Sequence, residues 1–126
     1  MFNQTTLIGR LTRDAELGQL PNDRRTPRVR FTVAVDRDYE VDGEAPTDFW
    51  PCEVVGEHGT RIAQYLTKGR LVLVTGTAHI DERRGDGQPY RVFPFLSARS
   101  VRFLDRRPRT AADEPPGGDD GFAVEA

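Results

Sequence analysis

Cysteine, lysine and tryptophan each occur once in this 126-residue chain, and histidine twice. The lone Cys52 excludes an internal disulfide framework, and a single thiol cannot build a cysteine-rich zinc site. His58 and His79 stand far apart with no HExxH-type spacing, so neither a metal centre nor a cofactor is expected. No apolar run approaches the roughly 18 residues that a membrane-spanning helix needs. The start, Met1-Phe2-Asn3-Gln4, has neither the basic opening nor the apolar stretch of a secretory signal. The expectation is a soluble cytoplasmic chain with no membrane partner.

Catalytic signatures are missing too. No serine or cysteine has a base partner in sequence, and there is no P-loop or dinucleotide fingerprint. Asp36, Asp38, Glu40, Asp42 and Glu44 alternate along a segment broken by Gly43 and Pro46. That is the look of a solvated hairpin, not of a calcium loop closed by a glutamate. No enzymatic activity is expected.

The charge becomes informative once it is divided. Formal net charge is −2, yet residues 1–104 hold 15 basic and 14 acidic residues, against 3 and 6 in residues 105–126. Of the 18 basic residues, 17 are arginine. Arginine forks onto phosphates and stacks on bases better than lysine does. Genomic base composition produces the same skew, and both readings stay open.

What is present is mostly strand. Thr5 to Leu11 is β-branched and aliphatic, with Gly9 inside it, which predicts a bulge or a close barrel crossing. Pro21-Asn22-Asp23 signals a turn. Arg28 to Asp36 alternates: Val29, Phe31, Val33 and Val35 face one way, Arg28, Arg30, Thr32 and Ala34 the other. Period two over that length is a half-buried strand. Tyr39 to Thr47 reads as a long hairpin loop. Asp48 to Val55 reads as a third strand, with Pro51 implying an edge or a bulge. The period then changes, and Thr60 to Lys68 fits a short amphipathic helix capped by Thr60 and stopped at Gly69. Leu71 to about Glu82 is a strand, Arg83 to Gln88 a hairpin tip, and Tyr90 to Leu96 and Ser100 to Leu104 the last strand segments.

Beyond Leu104 the composition turns acidic and rich in proline and glycine. Such a segment cannot bury enough apolar surface to offset its ordering entropy, so 105–126 is expected to be a disordered tail. Three strands, one short helix, then further strands is the order of an all-β OB-fold, a five-stranded Greek-key barrel with its helix between strands three and four. One such domain over 1–104 accounts for the length.

Five collinear pieces carry a family resemblance. They are Gly9 to Leu17 with Pro21-Asn22, Phe31 to Arg37, Asp48-Phe49 with Cys52, Ala63 through Tyr65-Leu66 to Lys68-Gly69, and Gly76. Over about residues 2–104 the chain resembles bacterial single-stranded DNA-binding proteins. The resemblance implies an OB-fold that assembles as a homotetramer and coats single-stranded DNA in replication, recombination and repair, at the nucleoid. Bases stack on aromatics, and basic side chains meet phosphates.

Carried onto this chain, the stacking residues are Tyr39 and Phe49, with Tyr90 a weaker candidate. The phosphate candidates are Arg10, Arg13, Arg28, Arg30, Arg37, Lys68, Arg83, Arg84 and Arg91. Strand alternation puts Trp50 opposite Phe49, with Cys52 and Val54, so Trp50 is assigned to a subunit interface rather than to DNA. In the tail, Asp119, Asp120 and Phe122 resemble the acidic tip with which the family docks replication and repair proteins. Here Ala123 to Ala126 follow it, so Phe122 cannot offer a terminal carboxylate.

Other departures point to weaker binding. Val55 stands where relatives often carry an aromatic, a tryptophan of some relatives is replaced around Arg83, and Glu53 shares Phe49's strand face. An OB-fold adaptor of a replication-restart complex, with protein contacts dominant, is the alternative.

Overall fold

In the computed structural model, residues 1–87 and 89–105 are described, together with the backbone of a short strand at 124–125. The elements in chain order are β1 (Thr5–Leu11), β2 (Glu16–Gln19), β3 (Pro27–Asp36), β4 (Thr47–Val55), α1 (Glu57–Ala63), β5 (Leu71–Arg83), β6 (Arg91–Phe103) and β7 (Val124–Glu125).

Five of these strands close a ring. β1 lies antiparallel to β5, β5 to β6, and β3 to β4, while β4 and β6 run parallel at Cys52↔Leu96 and Glu53↔Ser97. The ring shuts where β1 leaves β5 for β3, with Arg10 opposite both Leu71 and Ala34. This is the expected OB-fold Greek-key barrel, with its helix after the third barrel strand. β2 folds back on β3 from Glu16↔Arg30 to Gln19↔Pro27 as an extra hairpin strand that the sequence pattern did not announce. β7 pairs with β6 opposite Ser100 and Val101.

The alternation of β3 works as its composition dictates. Val29, Phe31 and Val33 are buried, and with Leu11, Cys52, Val54, Val72, Val74, Leu96, Val101 and Phe103 they form one core. On β6 the buried residues shift from Leu96 and Ala98 to Val101 and Phe103. A bulge in the β5–β6 ladder at Thr75/Gly76 resets the pleat there. It also makes β6 one continuous strand where two segments were expected.

Gly9 sits at the predicted close crossing: a Cβ there would collide with the Ala34 carbonyl oxygen. Pro51 pairs with Thr32 on the β3 side, and the parallel partner β6 joins β4 only from Cys52 onward. The missing amide donor thus stands where β4 is still an edge.

The helix corrects the sequence reading. It runs Glu57–Ala63, its N-cap is Gly56, and no side chain caps it, so Thr60 lies inside. Gly59 and Ile62 are the residues it buries. The chain tightens straight afterwards: the Tyr65 amide donates to the Ile62 carbonyl and the Leu66 amide to that of Ala63. Leu66 is then free to enter the core, where its carbonyl accepts from the Ala15 amide. Gly69 therefore ends no helix. It lies in the turn before β5, at φ +86°, with its amide donating to the Leu11 carbonyl.

The barrel's end is tied by Arg70, only 8% exposed, whose Nε donates to Asp105 at 2.9 Å. Both that bond and the Leu71 amide hold the Asp105 carboxylate. Ordered structure therefore continues through Asp105.

Candidate nucleic-acid interface

Several of the candidate side chains gather on one outer face. Register sets this. β3 turns Arg28, Arg30, Thr32 and Ala34 outward, and β4 sets Val55, Glu53, Pro51 and Phe49 opposite them. Since Leu96 faces the core, Phe93 and Phe95 on β6 point out, paired with Asp81 and His79 on β5. Between these strands runs an open groove of about 610 Å³, lined among others by Arg13, Arg28, Arg30, Pro51, Glu53, Arg83, Phe93 and Phe95.

Its aromatic part is accessible. Phe93, in its lining, is 44% exposed, and Phe49, outside the lining but on the same β3–β4 face, is 64% exposed. The Arg83 guanidinium lies 5.4 Å from the Phe93 ring centroid. His79 stacks on Phe95 at 5.3 Å with 23° between the rings. At the hairpin tip Arg84 covers Tyr90 at 4.9 Å, and Arg84, Arg91 and Glu82 line a second hollow beside Arg83 and Phe93. The bond from Tyr90 to Glu82 holds its hydroxyl above the ordinary phenol range.

The basic part is tempered by carboxylates. Arg28 Nη1 lies 3.9 Å from Glu53, and Arg13 and Arg30 each come within 3.9 Å of Glu16. These separations exceed hydrogen-bond length, so the guanidinium donors keep capacity for another acceptor. Arg28 Nε is buried without a partner among the described residues.

Not every candidate reaches the groove. Arg37 follows directly after β3, beyond the barrel's end, where it forks onto Asp48 and donates to the Tyr39 hydroxyl at 2.6 Å. These bonds push the Arg37 guanidinium further up and hold the Asp48 carboxyl below its usual range. Tyr39 is thereby anchored on the side opposite Phe49. Arg10 points out from β1 on the far flank, its Nη1 donating to the Gly69 carbonyl at 2.9 Å. Lys68 sits in the turn before β5, its amide held by Asp14. Trp50 is half-buried against the barrel's own core, opposite Phe49 as alternation predicts. Asp119, Asp120 and Phe122 lie outside the described residues.

Sequence reasoning missed Phe93, Phe95 and His79. The signal was there: in Phe93-Pro94-Phe95-Leu96, an inward Leu96 forces both phenylalanines outward. Among the described residues, no group of three or more His, Cys, Asp or Glu could hold a metal ion. No helix among them is long and apolar enough to cross a membrane.

The barrel has known counterparts. The sequence model of the Single-strand binding protein family matches residues 2–104. The chain belongs to that family. Among its relatives, Single-stranded DNA-binding protein 2 of Clostridium acetobutylicum is 37% identical over 104 residues, covering 82% of this chain and 77% of that protein. The Single-stranded DNA-binding protein of Thermotoga maritima is 39% identical over 116 residues, covering 90% of this chain and 81% of the other. In structure, the family barrel resembles the protein in a Plasmodium falciparum SSB complex with ssDNA. The TM-score is 0.69 at 21% identity, over 83% of this chain and 96% of that one.

Proposed function

We propose that this barrel binds and coats single-stranded DNA without reading a sequence motif, protecting it during replication, recombination and repair. The observation that carries the reading is the groove lined by Phe93, Phe95, Arg28, Arg30 and Arg83, with the exposed Phe49 on the same outer face. Each base offers a π-face, so stacking is sequence-tolerant, while guanidinium groups meet the phosphates. Relatives named for single-stranded DNA binding support the same conclusion.

The DNA-contacting set of this reading is Arg13, Arg28, Arg30, Phe49, Arg83, Arg84, Tyr90, Arg91 and Phe93. Arg10, Arg37, Tyr39 and Lys68 contact DNA only if the strand wraps past the groove's ends. Assembly into a homotetramer, with Trp50 at a subunit contact, belongs to the proposal, as does docking of replication and repair proteins on the acidic tail. The deciding experiment is fluorescence anisotropy of a labelled oligonucleotide against its matched duplex, at low and at high salt. Strong preference for the single strand, with affinity falling as salt rises, is the expected result. Equal or negligible binding of both would assign the barrel to protein partners.

A further inference from the structure

Glu53 is the least expected lining of a phosphate-binding groove. Its side chain is only 20% exposed and that of Arg28 beside it 27%, so both are set into the wall rather than waving above it. Among the described residues the Glu53 carboxylate accepts no hydrogen bond, and its charged neighbour Arg28 Nη1 is 3.9 Å away. An acceptor and a donor therefore stand side by side, each with unused capacity. Glu53 pairs with Ser97 across the parallel ladder, so Pro51 and Phe95, two positions back on their strands, share its outer face. Two residues along a strand span about 6.6 Å. His79 stacks on one face of Phe95, so a base lying on Pro51 and against the remainder of the Phe95 ring has Glu53 within reach of its edge.

We propose that Glu53 and Arg28 form a base-edge subsite that reads an exocyclic amino group, so that the groove prefers cytosine to thymine. This rests on the single-strand reading above. Cytosine offers an N4 amino donor beside its N3 and O2 acceptors, matching a carboxylate acceptor next to a guanidinium donor. Thymine places O4 where cytosine has the amino group, and an ionised carboxylate repels it. The subsite gives a compositional bias, not a motif. It also gives Glu53 a purpose in a groove where negative charge otherwise only opposes phosphate.

The test compares oligo-dC and oligo-dT of equal length by competition anisotropy at pH 8, with the full chain and its Glu53→Gln variant. The wild type is expected to bind oligo-dC at least about 5-fold tighter, the low end of discrimination by one base-edge bond. In E53Q the side-chain amide can donate to O4, so the ratio should fall toward one, mainly by a gain on oligo-dT. A second arm keeps the protein unchanged and uses N4,N4-dimethylcytosine, which lacks the donor and should bind no better than thymine. Wild-type affinities within 2-fold of each other, a ratio unchanged in E53Q, or a preference surviving dimethylation would overturn the subsite. Absence of salt-sensitive binding to either oligonucleotide would instead overturn the single-strand reading itself.

Discussion

The Arg70 guanidinium lies 4.5 Å from the centre of the Phe103 ring while its Nε donates to Asp105. One buried cation thus fastens the start of β5 to the end of β6 and to the residue just after it. Partial burial works against ionising Asp105, but the Leu71 amide and Arg70 together hold its carboxyl below the ordinary range. A carboxyl depressed by folding contributes its full stability above the unfolded value, near 4, and loses it as pH falls through the lower folded value. Asp105→Asn should cost about 1.5–3 kcal/mol at neutral pH. It should also flatten the loss of thermal stability between neutral pH and acid. Melting curves across that range check both, and an unchanged acid slope would remove Asp105 from the account.

Phe49→Ala should weaken single-strand binding by about 1–3 kcal/mol without unfolding the barrel, because most of the ring already faces solvent. Titration of a labelled oligonucleotide, with circular dichroism as the folding control, separates the two effects. Unchanged affinity would take Phe49 out of the interface.

Arg83 and Phe93 should behave as a unit. Arg83→Ala should weaken binding and reduce the slope of log affinity against log salt by about 0.7, the value for one phosphate contact on a single strand. Phe93→Ala should weaken binding with less change in slope, since it removes stacking and only loosens the arginine. Identical salt slopes in wild type and Arg83→Ala would show that Arg83 serves only to cover the ring.

Gly9→Ala should destabilise the barrel by about 1–3 kcal/mol or more, because the new methyl meets the Ala34 backbone oxygen, which has no side-chain freedom to yield. Gly76→Ala should do the same against Ser97. Thermal denaturation reads both, and a midpoint within a degree of wild type for either would contradict the crossing geometry.

Cys52 should resist thiol reagents in the folded protein. Burial pushes its thiol up to about 12, leaving almost no thiolate at pH 8. Colour development with a disulfide reagent should appear only on adding denaturant, and rapid reaction of the native protein would refute the buried placement.

The parts legible in the sequence were those where one face is buried and the other is not. Val29 to Val35 announced both a strand and its inner side, and from that followed the outward Arg28 and Arg30. Gly9 was readable because a glycine inside a β-branched run marks a bulge or a tight crossing of backbones. β2 was not readable: all four of its residues are exposed, so no apolar period marks them. The helix was displaced because its true start, Gly56 to Gly59, has glycines at both ends. There a small buried residue against Val54 matters more than helix propensity. Phe93 and Phe95 were overlooked with Pro94 between them, although the inward Leu96 sets their direction. Arg37 and Tyr39 matched the family pattern by position, but Asp48 holds that pair beyond the barrel's end. A partner on another strand is invisible in a local reading.

The closure of the ring through β1 has a consequence for how the molecule is made. Thr5 finds its ladder partner in Gly76, far later in the chain, and β5 in turn is completed only by β6. The opening strand must therefore stay unpaired on β5's side while most of the chain emerges. Contacts so distant in sequence place the barrel among slow folders, on a millisecond-to-second scale. Until β5 arrives, the edge of β1 that it will cover is open to pairing with another nascent chain.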